Sequence, residues 1–251
     1  MRRRWIADEV TGDAAALVGE HAAHLARVLR AQVGQEFDIA TGDEVRRGTI
    51  TTISYERVEF ALGAKPYRKL SIDPSAVPKL TLALAIFKFD RMEWAIEKCT
   101  EIGVTRIIPI IARRTDAHLA AAAANRHDRW RRLILQASEQ SRRAAPPELA
   151  ATVKLKDLAA EAVLPAEGPT RIVLNESLAE SADEIRLTEA LQTSSLTSEV
   201  LLAIGPEGGW TDSEITWFHD ERWIAASLGN TILRAETAAI VATALAIDAL
   251  R

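Results

Sequence analysis

Hydrophobic and polar residues follow two different periods along the chain, and the change falls near residue 79. Before it the apolar runs are short. Segments 36–40, 46–54 and 58–62 alternate apolar and polar positions and are separated by Gly and Asp, which predicts a small sheet or barrel. Residues 19–30 instead bring Leu25, Val28 and Leu29 onto one face and predict a short helix. Pro66, Pro74 and Pro78 mark 65–78 as a linker, which sets the domain boundary after residue 72.

From Leu80 onward the pattern becomes strand, helix, strand. Segment 80–87 is a near-continuous apolar run, as expected of a parallel strand covered on both faces. Asp90, with Glu93 three residues on, has the spacing of a capping box for a helix that buries Met92, Ala95, Ile96, Cys99 and Ile102 and ends at Gly103. Further strands are predicted at 104–111, 171–175, 199–204 and 223–228. Helices are predicted at 125–144, 182–191, 211–218 and 236–250, with a loop at 193–198. This alternation predicts an α/β fold with a mostly parallel sheet after the small N-terminal domain.

Composition narrows the function. The 251 residues match one and a half to two domains, and 31 basic against 35 acidic residues leave a net charge of −4. An acidic balance argues against a protein that coats nucleic acid by bulk charge, so any RNA contact must come from a local basic patch. Cys99 is the only cysteine, which excludes an intramolecular disulfide and a multi-cysteine zinc cluster. The basic start at Arg2, Arg3 and Arg4 meets Asp8, Glu9 and Asp13 before any apolar stretch, and 238–247 is too short to span a bilayer. A cytosolic protein is the expectation.

Two turns are candidates for chemistry. Strand 199–204 runs into Gly205-Pro206-Glu207-Gly208-Gly209-Trp210, and strand 223–228 runs into Gly229-Asn230-Thr231-Ile232-Leu233-Arg234-Ala235-Glu236. Ligands of open parallel sheets lie outside strand carboxyl ends, where glycines let the backbone approach them. Neither turn is a dinucleotide fingerprint or a P-loop. Arg234 and Glu236 bracket the start of the last helix. A third candidate is the helix carrying Arg126, Arg129, Arg131, Arg132, Arg142 and Arg143 against Asp128 and Glu139, with Trp130 as stacking surface for RNA. His21 and His24 stand three apart without a third ligand in sight, and Cys99 falls on an apolar helix face, so both read as structural.

Lys88-Phe89-Asp90-Arg91-Met92-Glu93-Trp94 running to Lys98-Cys99-Thr100-Glu101-Ile102-Gly103-Val104, then Glu139-Gln140-Ser141-Arg142-Arg143, then 204–210, then 228–238 form a set. Together they resemble the RsmE family of 16S ribosomal RNA uridine-N3 methyltransferases, within the SPOUT (trefoil-knot) superfamily. His24-Leu25-Ala26-Arg27-Val28-Leu29-Arg30 is similar to that family's PUA-like domain. Departures are small: Ile102 stands for a usual Leu, Cys99-Thr100 for Ala-Thr, and Asn230-Thr231 replaces a segment that carries a basic residue.

The resemblance implies a PUA-like RNA-binding domain at 1–72 and a SPOUT domain at 73–251, with a C-terminal knot that binds S-adenosylmethionine and pairs two subunits. It implies cofactor contacts at Gly205, Pro206, Glu207, Gly208, Leu228, Gly229, Leu233, Ala235, Thr237 and Ala238, with Leu174 and Asn175 as a further wall. Uridine N3 must lose its proton, so a cation beside the uracil oxygens is needed, and Arg234 is expected in that role. The base is left open among Glu207, Glu236 and water. Contacts to 16S rRNA or the small ribosomal subunit are expected from Arg2, Arg3, Arg4, Arg27, Arg30, Lys88, Gln140, Arg142 and Arg143. Three other readings stand beside this one: a knotted methyltransferase for another RNA or base atom, a non-catalytic RNA-binding module, and an α/β enzyme with a nucleotide ligand.

Overall fold

The computed structural model describes residues 4–42, 44–64, 68–69, 79–161, 169–176, 185–193 and 199–250. The chain divides into two units. One holds Met1–Pro74 together with Leu135–Pro146, and the other holds Ser75–Ile134 together with Pro147–Arg251. The linker expected at 65–78 and the loop at 193–198 lie almost wholly outside the described residues.

The first unit is built on β1 (Arg4–Ile6), β2 (Glu9–Thr11), β3 (Ala14–Val18), β4 (Glu36–Ala40), β5 (Glu44–Ile53), β6 (Arg57–Leu62) and β7 (Arg68–Lys69). They form one seven-stranded sheet in the order β1-β4-β5-β6-β3-β2, with β7 also on β5. All pairings are antiparallel except β1 with β4. The two-residue period is plain in β6, where Val58, Phe60 and Leu62 enter the core with Trp5, Leu17, Ile39 and Ile50.

The helix expected over 19–30 is α1 (Gly19–Ala23) continued by a π-helical turn, His24–Val28. The wider turn breaks the 3.6-residue register, so Leu25 is buried while Val28 and Leu29 face solvent, contrary to the expected shared face. Segment 135–146 packs into this unit: Leu135 meets Ile6, Ala40 and Val45, and the Arg4 guanidinium donates to the carbonyl of Arg142.

His21 ties that segment to the sheet. Its Nδ1 lies 3.0 Å from Asp8 Oδ2 and its Nε2 lies 2.6 Å from Glu139 Oε1. The same two carboxylates accept from the backbone N–H groups of Val18 and Ile6. Burial alone lowers the imidazole pKa, but the bonds to Asp8 and Glu139 reverse this and raise it to about 9. The native state therefore holds a proton that the unfolded chain releases near pH 6.5. The stabilisation is complete below that value and disappears as pH rises through about 9. Thermal melts should show Tm falling between pH 6.5 and 9.5 in the parent. His21→Gln should flatten that slope, and an equally steep slope in the variant would contradict the assignment.

The second unit contains β8 (Lys79–Ala85), α2 (Phe89–Ile102), β9 (Arg106–Ile111), α3 (Ala117–Ala122), α4 (His127–Gln140), β10 (Glu148–Leu149), β11 (Val153–Lys154), α5 (Leu158–Glu161), β12 (Thr170–Leu174), α6 (Leu187–Thr193), β13 (Glu199–Ile204), α7 (Asp212–Asp220), β14 (Ile224–Ala226) and α8 (Ala235–Ala249). The end of α4 belongs to the first unit. Every strand pairing here is parallel, in the order β10-β9-β8-β13-β12-β14 with β11 also on β9, so the fold is α/β.

Both sheet faces are covered. Leu80, Leu82 and Leu84 of β8 join a core with Met92, Ile96 and Cys99 of α2 and Ala239, Ala242 and Ala246 of α8. Ala83 and Ala85 point the other way, into a core with Trp210, Phe218 and Trp223. This two-sided burial is why the strand reads as an unbroken apolar run. The alanines of α8 leave room for close approach to α2, and Thr243 Oγ1 donates to Cys99 Sγ at 3.3 Å. Burial pushes the Cys99 thiol up to about 12, so it is an inert core group.

Several expectations are corrected. The start of α2 has Lys88 at its N-cap and no side-chain cap. Glu93 does not close a capping box there, because its Oε1 accepts from Arg129 Nε at 2.7 Å and lies 3.6 Å from Arg126 Nη1. The arginine helix expected at 125–144 is α4, His127–Gln140, shorter at its end and preceded by a 3-10 turn, Ala123–Arg126. Trp130 is fully buried against Phe89 and His127 and offers no stacking surface to RNA. A capping box formed by Thr211 and Glu214 starts α7.

Candidate active site

The carboxyl ends of β8, β13 and β12 open on a cleft of about 390 Å³ within the second unit. Lys88 and Arg91 come from the β8–α2 junction, Leu174 and Glu176 from the end of β12, 204–207 from the end of β13, and 232–235 with Ala238 from the entry to α8. The parallel sheet dictates this position, since strand ends on one edge leave a crevice between successive loops.

Trp210 joins two walls. Its indole Nε1 donates to the Leu174 carbonyl at 2.9 Å. Its ring covers Gly205, where a Cβ would sit 3.1 Å from the indole, a contact tight enough that the ring would have to shift by a few tenths of an ångström. Arg114 Nη1 donates to the carbonyls of Gly208 at 2.7 Å and Trp210 at 3.1 Å, which fixes the turn between them. Gly209 has φ +69°, and a side chain there would strike the Glu176 carboxylate. The Trp210 ring then packs edge-on against Phe218, at 4.8 Å between centroids, in the core beneath α7.

Charge in the cleft is mixed. Arg91 Nη1 bonds Glu207 Oε1 at 2.7 Å, and its Nε lies 3.7 Å from Glu236 Oε1, so one guanidinium joins the β13 loop to the first turn of α8. Glu236 is only 4% exposed, and its Oε2 is buried without a hydrogen-bond partner among the described residues. Lys88 and Arg234 also line the cleft, and no ion pair to either is present among the described residues.

The cleft brings together Leu174, Gly205, Pro206, Glu207, Leu233, Arg234, Ala235 and Ala238 of the expected site, with Lys88, which was expected to meet RNA. Asn175 is buried, and its backbone N–H donates to Ala226. Gly208 turns its carbonyl to Arg114. Leu228, Gly229, Glu236 and Thr237 do not line the cleft; Gly229 takes φ +113° beyond β14 and bonds Ser227 Oγ. Arg91, Glu176, Ile204 and Ile232 line it unforeseen. The rule that ligands sit outside strand carboxyl ends could have found Arg91, six residues beyond the end of β8.

The expected RNA contacts divide. Arg2 and Arg3 lie outside the described residues. Arg4 is 6% exposed and is committed to the Arg142 carbonyl, so it is not available to a phosphate. Burial lowers the Arg143 pKa to about 10, and its Nε donates to the Ala145 carbonyl. Arg27, Arg30, Gln140 and Arg142 are exposed, the last at φ +58°.

A parallel α/β domain with a ligand-sized, charged crevice at its strand ends defines a small-molecule-binding enzyme class. Residues 73–247 match the model of the RNA methyltransferase domain, and the chain belongs to that family. It is 32% identical over 222 residues to ribosomal RNA small subunit methyltransferase E of Synechocystis, covering 88% of this chain and 68% of that one. The same-named protein of Mycobacterium bovis is 32% identical over 236 residues, covering 92% and 85%. Among solved structures, the methyltransferase E of Neisseria gonorrhoeae bound to S-adenosyl methionine superposes with a TM-score of 0.77 at 25% identity, covering 97% of this chain and 96% of that one. A putative methyltransferase of Legionella pneumophila in complex with the same cofactor gives 0.78 at 27% identity, covering 98% and 96%.

Trp210→Phe keeps the ring but leaves the Leu174 carbonyl without its donor. It should cost about 1–3 kcal/mol, read as a lower denaturation midpoint at unchanged m-value. Parental stability would show that the indole N–H does not tie the walls.

Proposed function

We propose that this chain is an S-adenosylmethionine-dependent methyltransferase acting on N3 of a uridine in the 16S RNA of the small ribosomal subunit. The observation that carries this reading is the cleft at 204–207 and 232–235 with Ala238, inside the domain that matches the RNA methyltransferase model. The residues suit the cofactor. The volume lies within the ~300–1,000 Å³ range of small-molecule sites. Gly205 presents backbone without a side chain, Glu176 and Glu207 are counter-charges for a sulfonium and an ammonium, and Lys88 is one for a carboxylate. The cofactor supplies the activated methyl group.

The chain's own residues then supply positioning and electrostatics. Leu174, Gly205, Pro206, Leu233, Ala235 and Ala238 form the binding walls. Arg234, exposed at the N-cap of α8, is the cation for the developing uracil anion. Glu207 lines the cleft but already bonds Arg91 at 2.7 Å, and Glu236 is buried 3.7 Å from the same guanidinium, so the N3 proton goes to Glu207, Glu236 or water. RNA phosphates are met by Arg27, Arg30 and Arg142, with Gln140 beside them. Knotted threading of the last strands and helix, and pairing of two subunits through that region, belong to the same reading. Among the described residues no helix is long and apolar enough to cross a membrane.

Incubation with small ribosomal subunits and labelled cofactor, followed by mass mapping, should place one methyl group on a uridine N3. A methyl on another base atom would replace the substrate, and absence of cofactor binding by calorimetry would leave an RNA-binding module. Arg234→Ala should lower kcat about 10²–10³-fold while the cofactor Kd stays within a few-fold. Unchanged turnover would remove Arg234 from its role. Affinity for RNA should fall with salt, and Arg142→Glu should weaken it without moving cofactor affinity.

A further inference from the structure

We propose that Tyr55 and Arg27 form a stacking platform for one unpaired RNA base on the first unit. The proposal rests on the RNA-modifying function proposed above and adds a contact of a different physical kind. Tyr55 is 59% exposed at the tip of the β5–β6 hairpin, where a large aromatic gains nothing from burial. The tip is rigid. Ser54 N–H donates to the Arg57 carbonyl at 2.8 Å, and Ser54 Oγ accepts from the N–H groups of Glu56 at 3.3 Å and Arg57 at 3.0 Å. Arg57 is held in turn by Glu9 and Glu59. The ring is therefore presented on a turn that is already ordered.

Arg27 approaches from the π-helical turn, with its guanidinium carbon 4.4 Å from the centre of the Tyr55 ring. No ion pair to Arg27 is present among the described residues, and the sequence from 21 to 35 contains no acid; in the hairpin tip Glu56 is the only one. Arg30 follows at φ +50°, a left-handed conformation that a non-glycine residue adopts only where its surroundings impose it. Val28, Leu29 and Val33, which follow Arg27 in the chain, are exposed.

A flat π surface, a cation over it, exposed apolar neighbours in the chain and a π-helical turn without acids match the needs of an unpaired nucleotide. The base stacks on the ring or guanidinium plane and the phosphate meets Arg30. A base inside a duplex is already stacked on its neighbours and cannot use the platform.

Fluorescence anisotropy with a labelled single-stranded RNA oligomer and with a duplex of the same sequence tests this, using the full chain. Tyr55→Ala should weaken single-strand binding about tenfold with an unchanged slope against salt, and Tyr55→Phe should restore it. Arg27→Ala should weaken binding and lower the salt slope by about one. Duplex affinity and the cofactor Kd should stay at parental values in the Tyr55 variants, the second measurement separating this proposal from the one on the cleft. Parental single-strand affinity in Tyr55→Ala would overturn the platform. So would equal losses on single strand and duplex, or a loss seen only with whole subunits, which would assign the patch to a protein partner.

Discussion

The indole of Trp210 caps the ends of two paired strands just beyond their ladder, and two walls of the cleft meet at that cap. Its N–H satisfies the Leu174 carbonyl at the end of β12, while its ring lies on Gly205 at the end of β13. The ring is itself anchored by the aromatic cluster of Phe218 and Trp223, so the cleft walls are extensions of the core. A site built in this way owes its geometry to buried apolar packing and one hydrogen bond, and little to its flexible charged groups. Arg91 adds a second tie on the opposite wall, linking the β13 loop to α8 through Glu207 and Glu236.

Charge is distributed with similar economy. The chain is net acidic, yet its arginines do not act as one patch. Arg126 and Arg129 neutralise Glu93 on α2, Arg4 holds a carbonyl, and Arg143 is half-buried. The arginines proposed above to meet RNA are exposed side chains of the first unit, each on a constrained backbone: Arg27 on a π turn, Arg30 and Arg142 at positive φ. Preorganised contacts of this kind confer orientation, which an enzyme selecting one nucleotide needs more than bulk attraction.

Much of the architecture was legible in the chain. The apolar run of β8 announces two-sided burial, and the Gly-Pro turn after β13 announces a ligand edge. The set of motifs also singled out the family. What could not be read were features decided by tertiary partners. Glu93 has capping spacing, yet two arginines arriving from α4 and the turn before it claim its carboxylate. Trp130 sits among arginines in sequence and points into the core in space. Val28 and Leu29 lose their shared face because a single π turn changes the angular step. Segment 135–146 joins the N-terminal sheet through a histidine between two carboxylates, a contact spanning more than a hundred residues that no local pattern encodes.

The central claim is that the cofactor lies between the end of β13 and the entry to α8. Hydrogen exchange on the full chain, with and without S-adenosylmethionine, tests it segment by segment. Slowed exchange should appear at 203–210, 228–238 and the β8–α2 junction, with the first unit unchanged. Protection centred on the N-terminal sheet, with none at 203–210, would contradict the account.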